Sequence, residues 1–493
     1  MFVKKKQSNV VKSKYLIQSI STLHGTTQLS ILSGKNENIW KGILILNLIL
    51  TIAFVLVIRN RYNNDQIITR ISNHCKLNQI PFPAISICNL NIVSKRASES
   101  IIRLLISHNI TQKNIEKFLH DLPILKDYGR STRNIDDFET IMSIMKGHYF
   151  TVESLMEEVH QKCESLLLYC AFNRKVKNCG DIFERIKTYE GHCCAFNYAA
   201  LNDDSDISKF SKDEDIEYYE DPSGEDVQPN ERIIVTSESG RGSGLSVVFN
   251  VEPEDYPIWS STPYFGAKIL ISDPNDYPET TVLYKLISLR ESIDIKVEPM
   301  VFQSENDIRH VAPEKRACWF HDEVFLEHTD RYSYETCKTE CKMHRFLENC
   351  GCIPYKYPRE KSTPICEFKN LQCLKNMTAY RFKGQKPCIP VCYMECRDKK
   401  YSITSDLTPF VPELFSPNIT NGRNISELSA LQVYYAKSSC NSYKLMLLMD
   451  FNHFIATYGG IFTLSFGASI LTLCELVYLF VSFLLSLSQR KMR

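Results

Sequence analysis

The chain has 493 residues, with 58 lysines and arginines against 57 aspartates and glutamates. This balance excludes a nucleic-acid binder that works by bulk positive charge, and it excludes an acidic disordered protein. Nineteen cysteines are many for a chain of this size, because a cytosolic protein rarely carries so many without metal-binding or redox motifs. The length alone predicts about three soluble domains, but the apolar residues are concentrated in two runs.

The first apolar run predicts a transmembrane helix over 40–59. The run itself, residues 40–58, has Lys41 at one edge as its only charge, and about 20 apolar residues cross a bilayer as a helix. A buried core helix is the alternative. The second predicted span, 451–487, is too long for a straight crossing, because its apolar part would extend about 50 Å as a helix. We therefore expect it to be tilted, extended or broken, with Gly459-Gly460 and residues 467–469 as candidate breaks.

The flanking charges predict the topology. Residues 1–39 are rich in lysine and the tail 488–493 is basic, so the positive-inside rule places both termini in the cytoplasm and residues 60–450 outside the cell. All cysteines except Cys474, which lies in the second apolar run, fall between residues 75 and 440. An oxidising compartment would convert these thiols to disulfides. The same region contains the N-glycosylation sequons Asn109, Asn376, Asn418 and Asn424. A multi-pass plasma-membrane glycoprotein is predicted.

The region between the two runs divides by its periodicity. Apolar residues at three-to-four spacing predict mainly helices over about 97–190. The acidic stretch 202–227 is interpreted as a solvated loop, with a cation-attracting or pH-sensing surface as the alternative. Alternating apolar and polar residues predict strands over about 232–300. The glycines at 240, 242 and 244 precede a strand-like segment, which favours a glycine hairpin over a phosphate-binding loop.

Cysteines crowd together over 318–396, and zinc binding and disulfides are the two interpretations. Placement outside the cell favours disulfides, and no metal is expected there. The gaps in Cys337-x3-Cys341 and Cys388-x3-Cys392-x3-Cys396 predict two helix faces laddered together. Spacing alone leaves the connectivity open. The sequence contains no HExxH, GxSxG or Walker motif, so an enzyme is not predicted.

Several segments together resemble one family. They are STLHGTTQL before the first apolar run, FPAISICNLN at 82–91, GHCCAFNY, GLSVVF, ENCGCIPYKYP and GASILTLCE at 467–475. In this order they are similar to the degenerin/epithelial sodium channel family, which includes the acid-sensing ion channels. Within that family they are most similar to the insect pickpocket branch. The resemblance extends from His24 to Glu475.

The resemblance implies an α+β membrane protein, in which two transmembrane helices flank a large disulfide-rich extracellular domain. That domain would hold a β-rich palm and β-ball with a helical finger and thumb, and three subunits, identical or mixed, would form the channel. The implied function is a sodium-permeable, voltage-independent cation channel of the amiloride-sensitive type, gated by an extracellular stimulus. Its partners would be two further subunits, the lipid membrane and an extracellular ligand or stimulus. No nucleic acid and no cofactor is implied, and Na⁺ is the permeant ion.

The resemblance also assigns roles to single residues. Small residues let backbones approach closely around an ion, and an intramembrane acid usually lines an aqueous path. A helix-packing motif of small residues is the alternative, and it leaves Glu475 unexplained. The implied residues are Gly467, Ala468, Ser469 and Glu475 for the selectivity filter and pore, His24, Gly25 and Ala456 for gating, and Thr463 for an amiloride site.

Seven disulfides follow from the resemblance. The implied pairs are Cys88–Cys193, Cys170–Cys179, Cys318–Cys396, Cys337–Cys392, Cys341–Cys388, Cys350–Cys373 and Cys352–Cys366. Cys75, Cys163, Cys194 and Cys440 remain, and they allow two further bridges in three connectivities.

Three other classes of protein remain as alternatives. A trimeric purinergic-type receptor also has two spans and a disulfide-rich domain, but the Gly-Ala-Ser segment argues against it. A two-span adhesion or scavenger receptor needs neither that segment nor Glu475. An extracellular enzyme needs a catalytic set that the sequence does not show.

Overall fold

The computed structural model describes residues 35–64, 67–73, 75–128, 135–199, 216–218, 233–260, 262–329, 331–359, 362–379, 387–411, 427–475, 477–478 and 480–481. His24, Gly25, Asn418, Asn424 and most of the acidic stretch 202–227 lie outside these residues. The chain divides into two compact units. One comprises Met1–Thr69, Glu305–Ala312 and Leu445–Arg493, and the other comprises Arg70–Ser304 and Pro313–Lys444.

The α-helices of the described residues are numbered in chain order. They are α1 Lys35–Asn64, α2 Lys95–Ser107, α3 Gln112–Asp121, α4 Ile135–Gly147, α5 Val152–Glu158, α6 Cys163–Leu166, α7 Cys179–Ile182, α8 Pro313–Arg316, α9 Tyr334–Cys350, α10 Leu371–Ala379 and α11 Phe451–Phe466.

The strands are numbered in the same way. They are β1 Ile67–Ser72, β2 Ala84–Asn89, β3 Leu167–Phe172, β4 Lys175–Lys177, β5 Phe183–Thr188, β6 Gly191–Phe196, β7 Glu217–Tyr218, β8 Ile234–Val235, β9 Leu245–Phe249, β10 Ala267–Ser272, β11 Leu283–Ile287, β12 Glu291–Ser304, β13 Cys318–Trp319, β14 Met394–Glu395, β15 Asp398–Pro409, β16 Ser429–Tyr435 and β17 Asn441–Leu447.

Helix α1 contains the first predicted span and extends about one turn beyond it at each end. Among the described residues it is the one helix that is both long and apolar enough to cross a membrane. Its large apolar side chains are exposed, as at Ile45, Leu50 and Phe54. Exposed apolar surface of this extent is unfavourable in water and suits hydrocarbon. The helix therefore has the properties of a membrane span.

Most strands of the larger unit belong to two sheets. The larger sheet has the strand order β1-β17-β12-β16-β9-β3-β4, and β15 also pairs with β12. The smaller has the order β11-β10-β2-β6-β5. Strand β12 pairs in antiparallel fashion with β15 over Glu291–Phe302, and in parallel with β16. The β-rich region predicted over 232–300 thus contributes strands to both sheets.

The inner faces of both sheets share one apolar core. It contains Ile85 and Ile87 from β2, Val247 from β9 and Ile295 from β12, each almost fully buried. Phe82, just before β2, is fully buried and packs its ring against three other aromatic rings. Aromatic pairs of this kind add to the stabilisation from buried area. The core therefore joins the two sheets.

A second apolar core joins the helices. Leu105 of α2, Phe118 of α3 and Met145 of α4 are fully buried in it. Phe346 of α9 and Leu374 of α10 belong to the same cluster. Helices α2 to α5 and the helices of the cysteine-rich region therefore form one packed helical layer.

The prediction of mainly helical structure over about 97–190 holds as far as residue 166, and between there and residue 190 only α7 is α-helical. Residues 167–172, 175–177 and 183–188 form β3, β4 and β5. The run from Leu167 to Phe172 is apolar throughout, and periodicity alone cannot distinguish a buried strand from a helix in such a run. Here the run is a strand because β9, which is distant in sequence, pairs with it in antiparallel fashion.

The glycine-rich segment 240–244 makes a turn, as predicted, but the strands around it do not form a hairpin. Gly240, Gly242 and Gly244 all have positive φ, between 68° and 90°. Strand β8 before the turn pairs with β7, whereas β9 after it pairs with β3 and β16. The turn therefore passes the chain from a two-stranded ribbon into the larger sheet.

Candidate functional site

The second apolar segment is broken where the sequence offers Gly467 to Ser469. Helix α11 starts behind Asp450, whose carboxylate accepts a hydrogen bond from the His453 amide at 2.6 Å, and it ends at Phe466. Residues 467–469 are not helical, and helical backbone resumes at residue 470. The other candidate break, Gly459-Gly460, lies inside continuous helix. The small-residue segment is thus the place where the helix is interrupted.

Gly467 ends helix α11 in a left-handed conformation, with φ 61° and ψ 27°. Its amide donates to the Thr463 carbonyl at 2.8 Å, and the Ala468 amide lies 3.4 Å from the Phe462 carbonyl. This pattern is the usual glycine termination of a helix. A side chain at Gly467 would cost about 1–2 kcal/mol because the left-handed region disfavours a Cβ atom. Glycine is therefore needed there for a backbone reason.

Local hydrogen bonds hold the two other residues of the break. The Thr463 hydroxyl donates to the Ala468 carbonyl at 2.8 Å. The Ser469 hydroxyl accepts from the Thr472 amide at 3.3 Å, and the Ser469 amide donates to the Thr472 hydroxyl at 3.3 Å. Ser469 is thereby the N-cap of the helical stretch that follows. Within the single chain, the predicted amiloride position Thr463 contacts the predicted filter directly.

Glu475 lies in the helical stretch that Ser469 caps, and its side chain is exposed in the single chain. Six residues of helix rise about 9 Å. Glu475 is therefore about one and two-thirds turns beyond the break along the same helix. Ala456, the predicted gating position, is exposed and lies in α11 two residues after Phe454. The Phe454 ring packs against that of Tyr62 in α1, with the ring centroids 5.2 Å apart.

Asn47 is a residue of this site that the sequence interpretation missed. Its side-chain amide donates to the Ser465 carbonyl at 2.6 Å. In a continuous helix that carbonyl would accept from the amide of residue 469, but the Ser469 amide bonds to Thr472 instead. Asn47 therefore satisfies a carbonyl that the break has exposed. The available indication was that Asn47 is the one amide side chain in the apolar run of α1, since intramembrane polar residues usually have a role.

Changing Asn47 to leucine is expected to disturb the break while leaving α1 intact. Interhelical hydrogen bonds in membranes contribute about 0.6–2 kcal/mol, so the position of Ser465 becomes less fixed. We expect a measurable shift of the reversal potential under sodium. Thr51→Val is the matched control, because the buried Thr51 hydroxyl donates within its own helix, to the Asn47 carbonyl. Equal effects of both changes would contradict the role given to Asn47.

The described cysteines other than Cys474 are all paired, and Cys474 is an exposed free thiol. Seven pairs are the same as those implied by the resemblance, Cys88–Cys193, Cys170–Cys179, Cys318–Cys396, Cys337–Cys392, Cys341–Cys388, Cys350–Cys373 and Cys352–Cys366. The remaining four cysteines form Cys75–Cys440 and Cys163–Cys194, one of the three connectivities left open.

The prediction of two laddered helix faces is correct for only one face. Cys337 and Cys341 lie on helix α9, but 388–396 is irregular and ends in the short strand β14. Pro390 has no amide hydrogen and cannot occupy a helix interior. Met394, at the start of β14, pairs in parallel with Cys318. The ladder therefore joins a helix to a non-helical segment.

The sequons within the described residues are accessible. Asn109 is exposed, with a left-handed backbone just after α2. Asn376 is exposed on α10. Exposure is a requirement for glycan attachment on a folded domain, and both positions meet it.

Half-buried carboxyl groups lie at the start of helix α9. The Tyr334 amide donates to Glu395 at 3.1 Å, and the Ser333 hydroxyl donates to Asp276. Burial, with the Asp398 carboxylate nearby, raises the pKa of Glu395 to about 8. Burial also raises the pKa of Asp398 to about 6 and that of Asp276 well above its usual range. These groups bind protons more tightly in the folded protein than in the unfolded chain.

Raised pKa values predict a folded state that loses stability as pH rises. The contribution of Glu395 is fully present below its unfolded pKa and is lost as pH rises through about 8. Wild-type protein should therefore unfold at a lower temperature at pH 8.5 than at pH 6.5, and Glu395→Gln should flatten this difference. Glu99→Gln, at an exposed position, is the control. Thermal unfolding curves with the same pH dependence in wild type and Glu395→Gln would refute the prediction.

An apolar helix long enough to span a bilayer lies in one chain with a disulfide-rich domain, and this combination is consistent with a membrane protein. The family model described as "Amiloride-sensitive sodium channel" matches residues 18–479. The chain belongs to this family, whose members are ion channels and not enzymes, and the predicted family is confirmed.

Individual relatives support the same assignment. The chain is 27% identical to "Pickpocket protein 28" of Drosophila melanogaster, over 93% of this chain and 76% of that protein. It is 23% identical to "Sodium channel protein Nach" of Drosophila ananassae, over 89% and 80%. It is 22% identical to "Epithelial sodium channel subunit gamma" of Bos taurus, over 51% and 40%. Relatives therefore include both insect pickpocket proteins and a subunit of an epithelial channel.

Proposed function

We propose that this chain is a subunit of a sodium-permeable, voltage-independent cation channel of the plasma membrane. The break at 467–469, with Gly467 in a left-handed conformation, is the observation that carries the proposal. A break in a helix at membrane depth frees backbone carbonyls, and such backbone is tolerated where it lines a water-filled path. Neither apolar segment has a series of arginines, which argues against voltage sensing.

In the proposed pore an ion passes two features of the second segment one after the other, the break at 467–469 and Glu475. Gly467, Ala468 and Ser469 from each of three subunits surround the ion at the narrowest point. Glu475 lies about 9 Å further along the same helix and adds one carboxylate per subunit. A ring of acids attracts cations and repels anions. The permeant ion is Na⁺, and Thr463, in contact with the Ala468 carbonyl, is the proposed site for amiloride.

The proposed pore also determines the topology and the roles that we propose for the rest of the chain. The second segment crosses the membrane after the break, both termini lie in the cytoplasm, and residues 60–450 lie outside the cell, with glycans on the exposed sequons. An extracellular stimulus gates the channel, and His24, Gly25 and Ala456 take part in gating. The partner subunits are two further chains, identical or different.

Whole-cell recording tests this proposal. The full chain is expressed alone, screened with steps of pH and with ligands, and then recorded with external sodium replaced by a large organic cation. Inward current should fall to the level of untransfected cells and return with sodium. Current that is indifferent to external sodium, or carried by anions, would contradict the proposal, and surface staining of the chain serves as the control for expression.

A further inference from the structure

Two exposed histidines face each other where two helices end. His108 is the C-cap of α2, and His148 directly follows α4. Their Nε2 atoms lie 3.4 Å apart, and the two rings are perpendicular, with centroids 5.0 Å apart. The rings therefore approach through their nitrogen atoms, at a position that solvent and ions reach freely.

The tautomer of His108 leaves a lone pair at this contact. Its Nδ1 atom lies 3.2 Å from the Leu104 carbonyl oxygen. A carbonyl oxygen only accepts, so in this bond Nδ1 carries the hydrogen and Nε2 is the unprotonated nitrogen. The Ser107 hydroxyl is also 3.3 Å from Nδ1, but it gives its own hydrogen to the Leu104 carbonyl at 2.6 Å. Histidines that bind metals commonly donate their other ring N–H to a carbonyl or carboxylate, which fixes the ring and raises its basicity. His108 already has this arrangement.

The distance between the two Nε2 atoms matches the distance between two nitrogen ligands of one metal ion. Two imidazole nitrogens at about 2.0–2.1 Å from a tetrahedral ion lie about 3.4 Å from each other, and the observed distance between the Nε2 atoms is 3.4 Å. A hydrogen bond from an N–H group is usually shorter, at about 2.7–3.2 Å. The pair is thus spaced more like two ligands than like a donor and an acceptor.

We propose that His108 and His148 chelate a divalent transition-metal ion of the zinc and copper class. Imidazole nitrogen suits these ions, whereas calcium and magnesium prefer oxygen. No cluster of three or more His, Cys, Asp or Glu in the described residues could hold a metal ion. The site therefore supplies two protein ligands, and water completes the coordination. Such a site binds reversibly and responds to free metal outside the cell.

The bound ion would link two helices of the same packed layer. Leu105 of α2 and Met145 of α4 are both fully buried in the helical core, close in sequence to the two histidines. A metal bridge between the helix ends restrains the outer part of this layer. Metal binding is thus a further activity of the extracellular region, and it does not depend on whether the chain conducts sodium.

Copper binding to purified full-length protein tests the proposal directly. At one equivalent of Cu²⁺, electron paramagnetic resonance should show coupling to two imidazole nitrogens. His108→Gln and His148→Gln keep a polar side chain but lose the ring nitrogen, and each should weaken binding of Cu²⁺ and Zn²⁺ at least about tenfold. His344→Gln is the matched control, because exposed His344 lies 3.2 Å from a single carboxylate, on Glu327, and should leave binding unchanged.

Unfolding measurements show whether the variants are intact. Without metal, both variants should unfold at the wild-type temperature, because both side chains are exposed. Zn²⁺ should raise the unfolding temperature of wild type and of His344→Gln only, since a ligand that binds the folded state stabilises it. Wild-type copper spectra with no coupled nitrogen or with one, or equal metal binding by the glutamine variants, would overturn the proposal.

Discussion

Replacing Gly467 by alanine is expected to reduce the preference of the current for sodium, whereas the same change at Gly459 leaves that preference intact. Gly467 has φ 61°, and an L-residue in this region costs about 1–2 kcal/mol. That cost lowers the population of the native break about 5- to 30-fold. Gly459 lies in regular helix, and an added Cβ meets nothing within 4 Å in this chain. Alanine also has a higher helix propensity than glycine, so the substitution should not weaken the helix at position 459.

Reversal potentials in mixtures of sodium and potassium measure this effect. Gly467→Ala should shift the reversal potential towards that of an unselective cation pore, or abolish the current while surface expression persists. Gly459→Ala should match wild type. A Gly467→Ala channel with unchanged selectivity would contradict the proposal that the left-handed backbone at Gly467 is needed for the selectivity filter.

Gly244→Ala should prevent normal folding of the extracellular region, and Gly351→Ala should be tolerated. Both glycines have left-handed backbones, with φ of 68° and 66°. At Gly244 an added Cβ would lie 2.3 Å from the Val433 carbonyl oxygen and 3.2 Å from the Phe82 ring. At Gly351 it would meet nothing within 4 Å. Both variants carry the backbone cost of about 1–2 kcal/mol, and overpacking adds about 1–3 kcal/mol at Gly244 alone.

Surface labelling and thermal unfolding distinguish the two variants. Gly244→Ala should give little mature protein at the cell surface and a markedly lower unfolding temperature in whatever is recovered. Gly351→Ala should reach the surface with a modest loss of stability. Similar behaviour of both variants would mean that the contact between the glycine turn and the central core is not tight.

Local features of the sequence were enough for the second segment. The length of the apolar run excluded a straight helix, and the small residues from Gly467 to Ser469 indicated one of two breaks. The single chain also explains why glycine is needed there, since Gly467 must be left-handed. By contrast, the bond from Asn47 to Ser465 joins residues more than 400 positions apart. Such a contact has no local pattern and depends on how two helices pack.

Structure that depends on distant partners was predicted less well. The apolar run at residues 167–172 is compatible with a helix or a strand, and the sequence interpretation assigned it to a helix. In the structure it is a strand because it pairs with β9. Residues 388–396 read as helix from cysteine spacing, although Pro390 in the same segment opposes it. The pairs Cys75–Cys440 and Cys163–Cys194 could not be chosen from spacing, because each joins elements brought together only by the folded sheets.

Thiol modification at position 469 tests whether the break lies in the ion path. Ser469→Cys is made in a Cys474→Ser background, which removes the free thiol found among the described residues. A positively charged thiol reagent applied from outside should block the sodium current of Ser469→Cys and leave that of the Cys474→Ser parent unchanged. Current that persists undiminished after complete labelling of residue 469 would show that ions do not pass this segment.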